Sequence, residues 1–144
     1  MKRYIRASRI SDEPSDVQLK LAKNLNATEE ELEELICDGS DWIKVRCALA
    51  HNPNMTPELI HQLVITEHYY DVFEEVAKNP KTSAKDLRRI AKSPQWYTRA
   101  IVALHPNTPD DVLEELKQDK DSSVRANAND TPERKAIMFK AYQR

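Results

Sequence analysis

The stretch VRCALAHNPNMTPELI at residues 45–60 contains the pattern that decides the fold of this 144-residue chain. Its first half places apolar residues at helical spacing, and the Asn52-Pro53 step then ends the helix, because proline disfavours the α conformation in the preceding residue. The tripeptide TPE at 56–58 supplies a capping hydroxyl, a first-turn proline and an acid at the positive end of the helix dipole. The stretch therefore predicts two helices joined by a short turn.

The same pattern recurs along the chain, with equivalent caps predicted at Thr108-Pro109-Asp110 and Thr131-Pro132-Glu133 and a capping box at Thr28–Glu31. The residue that ends the first helix, here termed the anchor, is Asn24, Asn52, Asn79 or His105, at spacings of 28, 27 and 26 residues. Aliphatic residues stand eight and eleven positions after each anchor, at Leu32, Leu35, Ile60, Leu63, Leu87, Ile90, Leu113 and Leu116. A shorter and more polar copy follows at 124–132, as the last unit of a stacked array requires in order to face water.

The repeat predicts an all-α solenoid of about five two-helix repeats with a continuous aliphatic core. We expect residues 15–144 to form a single repeat domain, and residues 1–14, which do not fit the repeat, to form an N-terminal arm or cap. The predicted helices are 15–24, 28–37, 41–51, 56–66, 69–79, 83–92, 95–105, 109–118, 121–128 and 131–142.

The stretch at 45–60 resembles the leucine-rich repeat variant family, whose repeats read roughly V-R-x-A-V-A-x-N-P-x-T-P-x-x-L-L. The resemblance covers about 17–138 and is strongest in the second and fourth repeats. It implies a right-handed superhelix of paired helices, similar to HEAT repeats. The best-known member resembles such a solenoid with an added iron–sulfur domain, but Cys37 and Cys47 cannot supply the four thiolates that a cluster usually needs. No cofactor or metal is therefore predicted.

Composition excludes several classes of function. A net charge of −2 with 32% charged residues does not indicate a dedicated nucleic-acid or membrane binder. The single glycine argues against Gly-rich phosphate loops, and no apolar run approaches the ~20 residues of a membrane span. No carboxylate pair stands in an apolar setting suited to acid–base catalysis, so the chain is predicted not to be an enzyme. Two cysteines without metal or redox spacing predict a cytoplasmic protein.

Three arginines, Arg46, Arg99 and Arg125, occupy equivalent positions in the first helices of their repeats. Asp41 lies five residues before Arg46, and Asp121 lies four before Arg125. The favoured interpretation is a ladder of Asp–Arg pairs that ties one repeat to the next. The alternative is an arginine row that meets an acidic or phosphorylated partner.

Aromatic residues concentrate where the chain enters the first helix of a repeat. These aromatic residues either fill the turns between repeats or form a row of partner-binding residues along one edge, since Trp, Tyr and Arg dominate binding hot spots.

The second helices, expected to line the concave surface, alternate in charge: 29–38 is acidic, 81–92 basic and 110–119 acidic. Adjacent stripes of opposite sign suit a protein partner better than a polynucleotide, which needs continuous positive charge.

These features predict a non-enzymatic scaffold or adaptor that binds a protein partner through its concave or aromatic-edge surface, with no membrane contact. The alternative is a nucleic-acid-binding HEAT-like module that uses the basic patch of the third repeat and the basic N-terminal arm. No oligomeric state is predicted. The candidate partner-binding residues are Trp42, Tyr69, Tyr70, Lys85, Arg88, Arg89, Lys92, Trp96, Tyr97 and Arg99.

Overall fold

A computed structural model describes residues 15–37 and 43–143, which contain ten helices and no strand. All ten predicted helices are found, with ends within two residues of the predicted bounds, and the all-α prediction is confirmed. The predicted arm at 1–14 lies outside the described residues. The helices are α1 Ser15–Lys23, α2 Glu29–Cys37, α3 Ile43–His51, α4 Pro57–Ile65, α5 Tyr70–Lys78, α6 Ala84–Ile90, α7 Trp96–Leu104, α8 Asp110–Leu116, α9 Ser122–Asn129 and α10 Pro132–Tyr142.

The chain divides into two compact units, residues 1–72 and 73–144, with the boundary between Val72 and Phe73 inside α5. The described part of the first unit contains α1 to α4 and the start of α5. The second contains the rest of α5 and α6 to α10. The prediction of a single domain over 15–144 stays a prediction.

In the first unit, equivalent helices pack on each other: α1 contacts α3, and α2 contacts α4. The aliphatic side chains of the repeat fill the space between them and are fully buried. Removing such a side chain from water contributes about 1.5–3 kcal/mol. The buried repeat positions of this unit are Leu32, Leu35, Ile60 and Leu63.

In the second unit, α7 is the central helix and contacts α6, α8, α9 and α10. Every residue from Thr98 to Leu104 is buried, which agrees with a helix surrounded by neighbours. Leu87, Ile90 and Leu116 are also buried, but the equivalent Leu113 is only half-buried.

Side chains cap most of the second helices in the predicted manner. Thr56 Oγ1 accepts the Leu59 N–H at 3.2 Å, and Thr131 Oγ1 accepts the Arg134 N–H at 3.3 Å. Thr28 forms the predicted reciprocal capping box with a glutamate three residues later.

The predicted Thr108 cap is wrong. The Thr108 side chain is buried, and its hydroxyl donates to the Val102 carbonyl at 2.6 Å. Pro109 occupies the N-cap position of α8 and supplies no side-chain hydrogen bond. The reason is spacing: Thr108 lies three residues after its anchor, whereas Thr56 lies four residues after its own. Identical Thr-Pro pairs therefore have different roles.

Candidate functional site

Arg46 in α3 forms a buried ion pair in the first unit. Its Nε donates to Glu67 Oε2 at 2.5 Å, and its Nη2 donates to Thr66 Oγ1 at 2.9 Å. The other carboxylate oxygen of Glu67 accepts the N–H groups of His68 and Tyr69, both at 2.8 Å. The pair therefore ties α3 to the turn that leads into the next repeat.

Arg99 in α7 forms the equivalent pair in the second unit. Its guanidinium donates to both oxygens of Asp119, at 2.8 and 3.0 Å, and to the Ser93 carbonyl at 2.8 Å. The hydrogen bond from Arg99 holds the pKa of Asp119 below its usual value of 3.8. Because Arg99 is buried and its donors are engaged, it is removed from the candidate partner-binding surface.

Arginine pairs tie neighbouring segments together, but the predicted Asp121–Arg125 pair is wrong, because Arg125 donates to the Asp119 carbonyl instead. The buried Arg46 and Arg99 each contact an acid 20 or 21 residues later. Asp121 instead caps α9, where its carboxylate accepts the N–H groups of Ser123 and Val124. Asp41 lies outside the described residues. The recurring acid at 67 and 119 was a sequence signal that could have identified the partners.

The anchor asparagine of the second repeat forms hydrogen bonds to the repeat before it. Asn52 Nδ2 donates to the carbonyls of Ala22, at 2.8 Å, and Asn24, at 3.0 Å. Its Oδ1 accepts the Asn54 N–H at 2.8 Å. The amide therefore satisfies backbone groups of two successive turns, which explains an asparagine at this buried position.

His105 makes equivalent hydrogen bonds in the second unit. Its Nε2–H donates to the Asn79 carbonyl at 2.8 Å, and its Nδ1 accepts the Asn107 N–H at 3.0 Å. Its ring also contacts Phe139 edge-on, with centroids 4.7 Å apart. Burial lowers the pKa of His105 from 6.5, so the ring is neutral near pH 7.

The basic face of α6 is the strongest cluster of predicted site residues. Lys85, Arg88 and Arg89 are exposed at i, i+3 and i+4 spacing on one side of the helix, and exposed Lys92 follows in the turn. Arg88 donates to both carboxylate oxygens of Asp111 in α8 through its two terminal nitrogens, Nη1 and Nη2, so its charge is already matched. Within the described ranges, no ion pair engages Lys85, Arg89 or Lys92.

Two aromatic residues lie close after this face in the chain. Trp96 is 48% exposed at the start of α7, and its indole contacts the half-buried Tyr97 ring edge-on at 6.0 Å. In the first unit, Tyr69 and Tyr70 are exposed. Trp42 lies outside the described residues. The four described aromatics are therefore accessible to different degrees.

The expected charge banding is weaker than the sequence suggests. Glu34 and Asp86 are buried, and Glu31 belongs to the capping box of α2. Some of the charged side chains that were expected on the surface are therefore buried or engaged in a helix cap, and they do not contribute to a charged stripe. Asp38 lies outside the described residues.

Over residues 15–37 and 43–143, no three His, Cys, Asp or Glu side chains are arranged to hold a metal ion. No helix in the same ranges combines the length and apolar character needed to cross a bilayer.

Residues 72–132 match the family model of the Leucine Rich Repeat Variant domain. Over these residues the chain is similar to that family. The match runs from within α5 to the first residue of α10 and includes the basic face, the Arg99–Asp119 pair and the His105 anchor, and it confirms the family resemblance. No curated protein and no solved structure matches the chain.

Proposed function

We propose that the chain is a non-catalytic scaffold that binds a protein partner through a basic–aromatic surface formed by Lys85, Arg89, Lys92, Trp96 and Tyr97. The observation that carries the proposal is the set of three exposed cations, without ion pairs among the described residues, followed by an exposed tryptophan. Protein interfaces are enriched in aromatic residues, which supply much of the buried contact area, and in charged residues, which set the orientation of the partner. The partner segment would therefore be acidic, with an apolar side chain that contacts Trp96.

We further propose that the repeats form a right-handed solenoid of about five helix pairs, with the second helices on the concave side. On this arrangement, Tyr69 and Tyr70 offer the partner a second, separate contact. A repeat domain of this kind presents an extended surface rather than a closed pocket, and this supports binding over catalysis.

Nucleic-acid binding is the second candidate, supported by the same three cations. The Arg88–Asp111 pair weighs against it, because it places a carboxylate within the basic face. A phosphate backbone would meet that carboxylate unfavourably, whereas a protein partner with mixed charge would not.

Site-specific photocrosslinking in the native cell tests the proposal. A benzoylphenylalanine at position 92 should crosslink to a discrete protein, and the adduct should disappear when Lys85→Glu and Arg89→Glu are introduced. The matched control places the crosslinker at Lys23, an exposed lysine of α1, where no such adduct is expected.

Nuclease treatment and a gel shift separate the two candidates. An adduct that resists nuclease, together with no retardation of labelled single-stranded DNA, supports a protein partner. Retardation that weakens steeply with salt and is lost in the double variant supports nucleic acid instead. Equal crosslinking at positions 92 and 23 would refute both.

A further inference from the structure

The last helix breaks the aliphatic register of the repeat. In α2, α4, α6 and α8, the fourth residue after the N-cap is aliphatic, at Leu32, Ile60, Leu87 and Leu113. In α10 the N-cap is Thr131, and the fourth residue after it is Lys135. A lysine therefore occupies the position that the other second helices devote to the core.

A cleft of about 500 Å³ lies beside this lysine within the second unit. Leu104, Leu113 and Phe139 supply apolar walls, and Lys135 and Lys140 also line the cleft. Among the aliphatic residues at this position of the second helices, Leu113 is half-buried, whereas Leu32, Ile60 and Leu87 are 0% exposed. Apolar surface that a further aliphatic residue would cover is thus left open to the cleft.

Lys135 has few favourable contacts for its charge. Its Nζ donates to the Ala128 carbonyl at 3.0 Å, and across the described residues the ammonium has no ion pair. Burial lowers its pKa from 10.5, and the charge of Lys117 lowers it further, against a smaller opposite effect of Asp130. An anion in the cleft would meet two unused N–H donors of this ammonium.

The charges along the cleft define the charge of the ligand. Lys135 and Lys140 contribute two positive charges and Asp110 one negative charge. His105, which also lines the cleft, is neutral because one ring nitrogen donates and the other accepts a hydrogen bond. The cleft therefore carries one net positive charge, which a monoanion would balance.

We propose that this cleft binds a small amphiphilic monoanion, namely an aliphatic carboxylate of medium chain length. The chain lies against Leu104, Leu113 and Phe139, and the carboxylate accepts hydrogen bonds from Lys135 and Lys140. The volume falls within the range of about 300–1,000 Å³ that is typical of small-molecule sites. The site shares no residue with the basic–aromatic surface and does not depend on it.

Calorimetric titration with three probes tests both halves of the ligand. Decanoate, kept below its micelle concentration, should bind saturably to the wild-type protein. Acetate, which has the head group without the chain, and decyltrimethylammonium, which has the chain with the opposite charge, should each bind at least 10-fold more weakly.

The variant Lys135→Met separates binding from folding. Because it restores an apolar residue to the core register, it should raise the melting temperature while weakening decanoate binding at least 10-fold. The matched control Lys120→Met, at an exposed lysine outside the cleft, should change neither quantity. The proposal is overturned if decanoate does not bind, if Lys135→Met binds it as well as the wild type, or if decyltrimethylammonium binds equally.

Discussion

The pairs α3–α4 in the first unit and α7–α8 in the second share one plan but differ at three positions. The arginine binds Glu67 in one and Asp119 in the other. The anchor is Asn52 in one and His105 in the other. The N-cap is Thr56 in one and Pro109 in the other. The two pairs therefore keep the arginine ion pair and the hydrogen-bonded anchor with different residue types, whereas the capping hydrogen bond is present only at Thr56.

Removing the acid of either arginine pair should have the largest effect on stability. In Glu67→Ala and Asp119→Ala, a buried guanidinium loses an acid partner, and we expect each variant to lose about 3 kcal/mol of unfolding free energy. The side chains of Arg99 and Asp119 are only 7% and 10% exposed, so solvent screens the pair weakly. Urea denaturation followed by circular dichroism measures the loss.

The exposed pair of the second unit provides the control for that comparison. Asp111→Ala removes the acid from Arg88, which remains in water, so we expect no measurable change in stability. If Asp111→Ala were as destabilising as Asp119→Ala, the distinction between buried and exposed pairs would be lost.

Truncation of the anchors should have the next largest effect. Asn52→Ala and His105→Ala each leave buried backbone groups without partners, at a cost of about 1–3 kcal/mol. His105→Ala should lie at the upper end, because it also loses the ring contact with Phe139. His105→Asn should recover much of the loss, since an amide can make both hydrogen bonds. Equal stabilities for the Ala and Asn variants would contradict the equivalence of the two anchors.

The two anchors should also differ in their response to pH. The pKa of His105 in the folded protein lies below 6.5, so the unfolded chain binds the proton more readily. Stability should therefore fall as the pH decreases below about 6.5 and level off below the folded pKa, by about 1.4 kcal/mol for each pH unit between the two values. Denaturation of the wild type and of His105→Asn from pH 7.5 to 5 measures this. The fall in stability at low pH that His105 causes should be absent in His105→Asn. The same pH profile in the variant and the wild type would exclude His105 as the source of that fall.

The caps should give the smallest difference. Thr56→Ala removes a side-chain hydrogen bond and should cost about 1 kcal/mol. Pro109→Ser adds a hydroxyl at a position whose backbone angles, φ −63° and ψ 151°, already suit a cap. We expect a gain of about 0.5 kcal/mol, because the loss of proline rigidity offsets part of the new hydrogen bond. A thermal melt of each variant checks the signs, and destabilisation by Pro109→Ser would show that rigidity dominates.

The local part of this organisation was predictable because its signals lie within a few residues of each other. The Asn-Pro step and the aliphatic spacing located the helices to within two residues. The buried state of Leu32 and Ile60 follows from the same spacing. Even the misassigned Thr108 had a local signal, in its three-residue distance from His105.

Contacts between distant residues were not predictable in the same way. Arginine is a residue type common in binding sites, so the sequence favoured Arg99 as a partner-binding residue. Its acid partner Asp119, with which it forms a buried ion pair, lies 20 residues further along the chain. Arg88 and Asp111 meet only because α6 and α8 place them side by side. The residue type of a charged side chain does not show whether solvent or another segment of the chain surrounds it.

The sequence by itself determined the ten helices of residues 15–37 and 43–143, their turns and most of the core, because these depend on backbone preferences and on the burial of apolar residues at fixed spacing. Only the tertiary structure decided which charges remain available. It paired Arg46, Arg88 and Arg99 with acids and left Lys85, Arg89 and Lys92 exposed. It also placed Lys135 beside an open apolar cleft. The physical reason is that the free energy of a charge depends on its neighbours in space, and helix packing rather than chain order selects those neighbours.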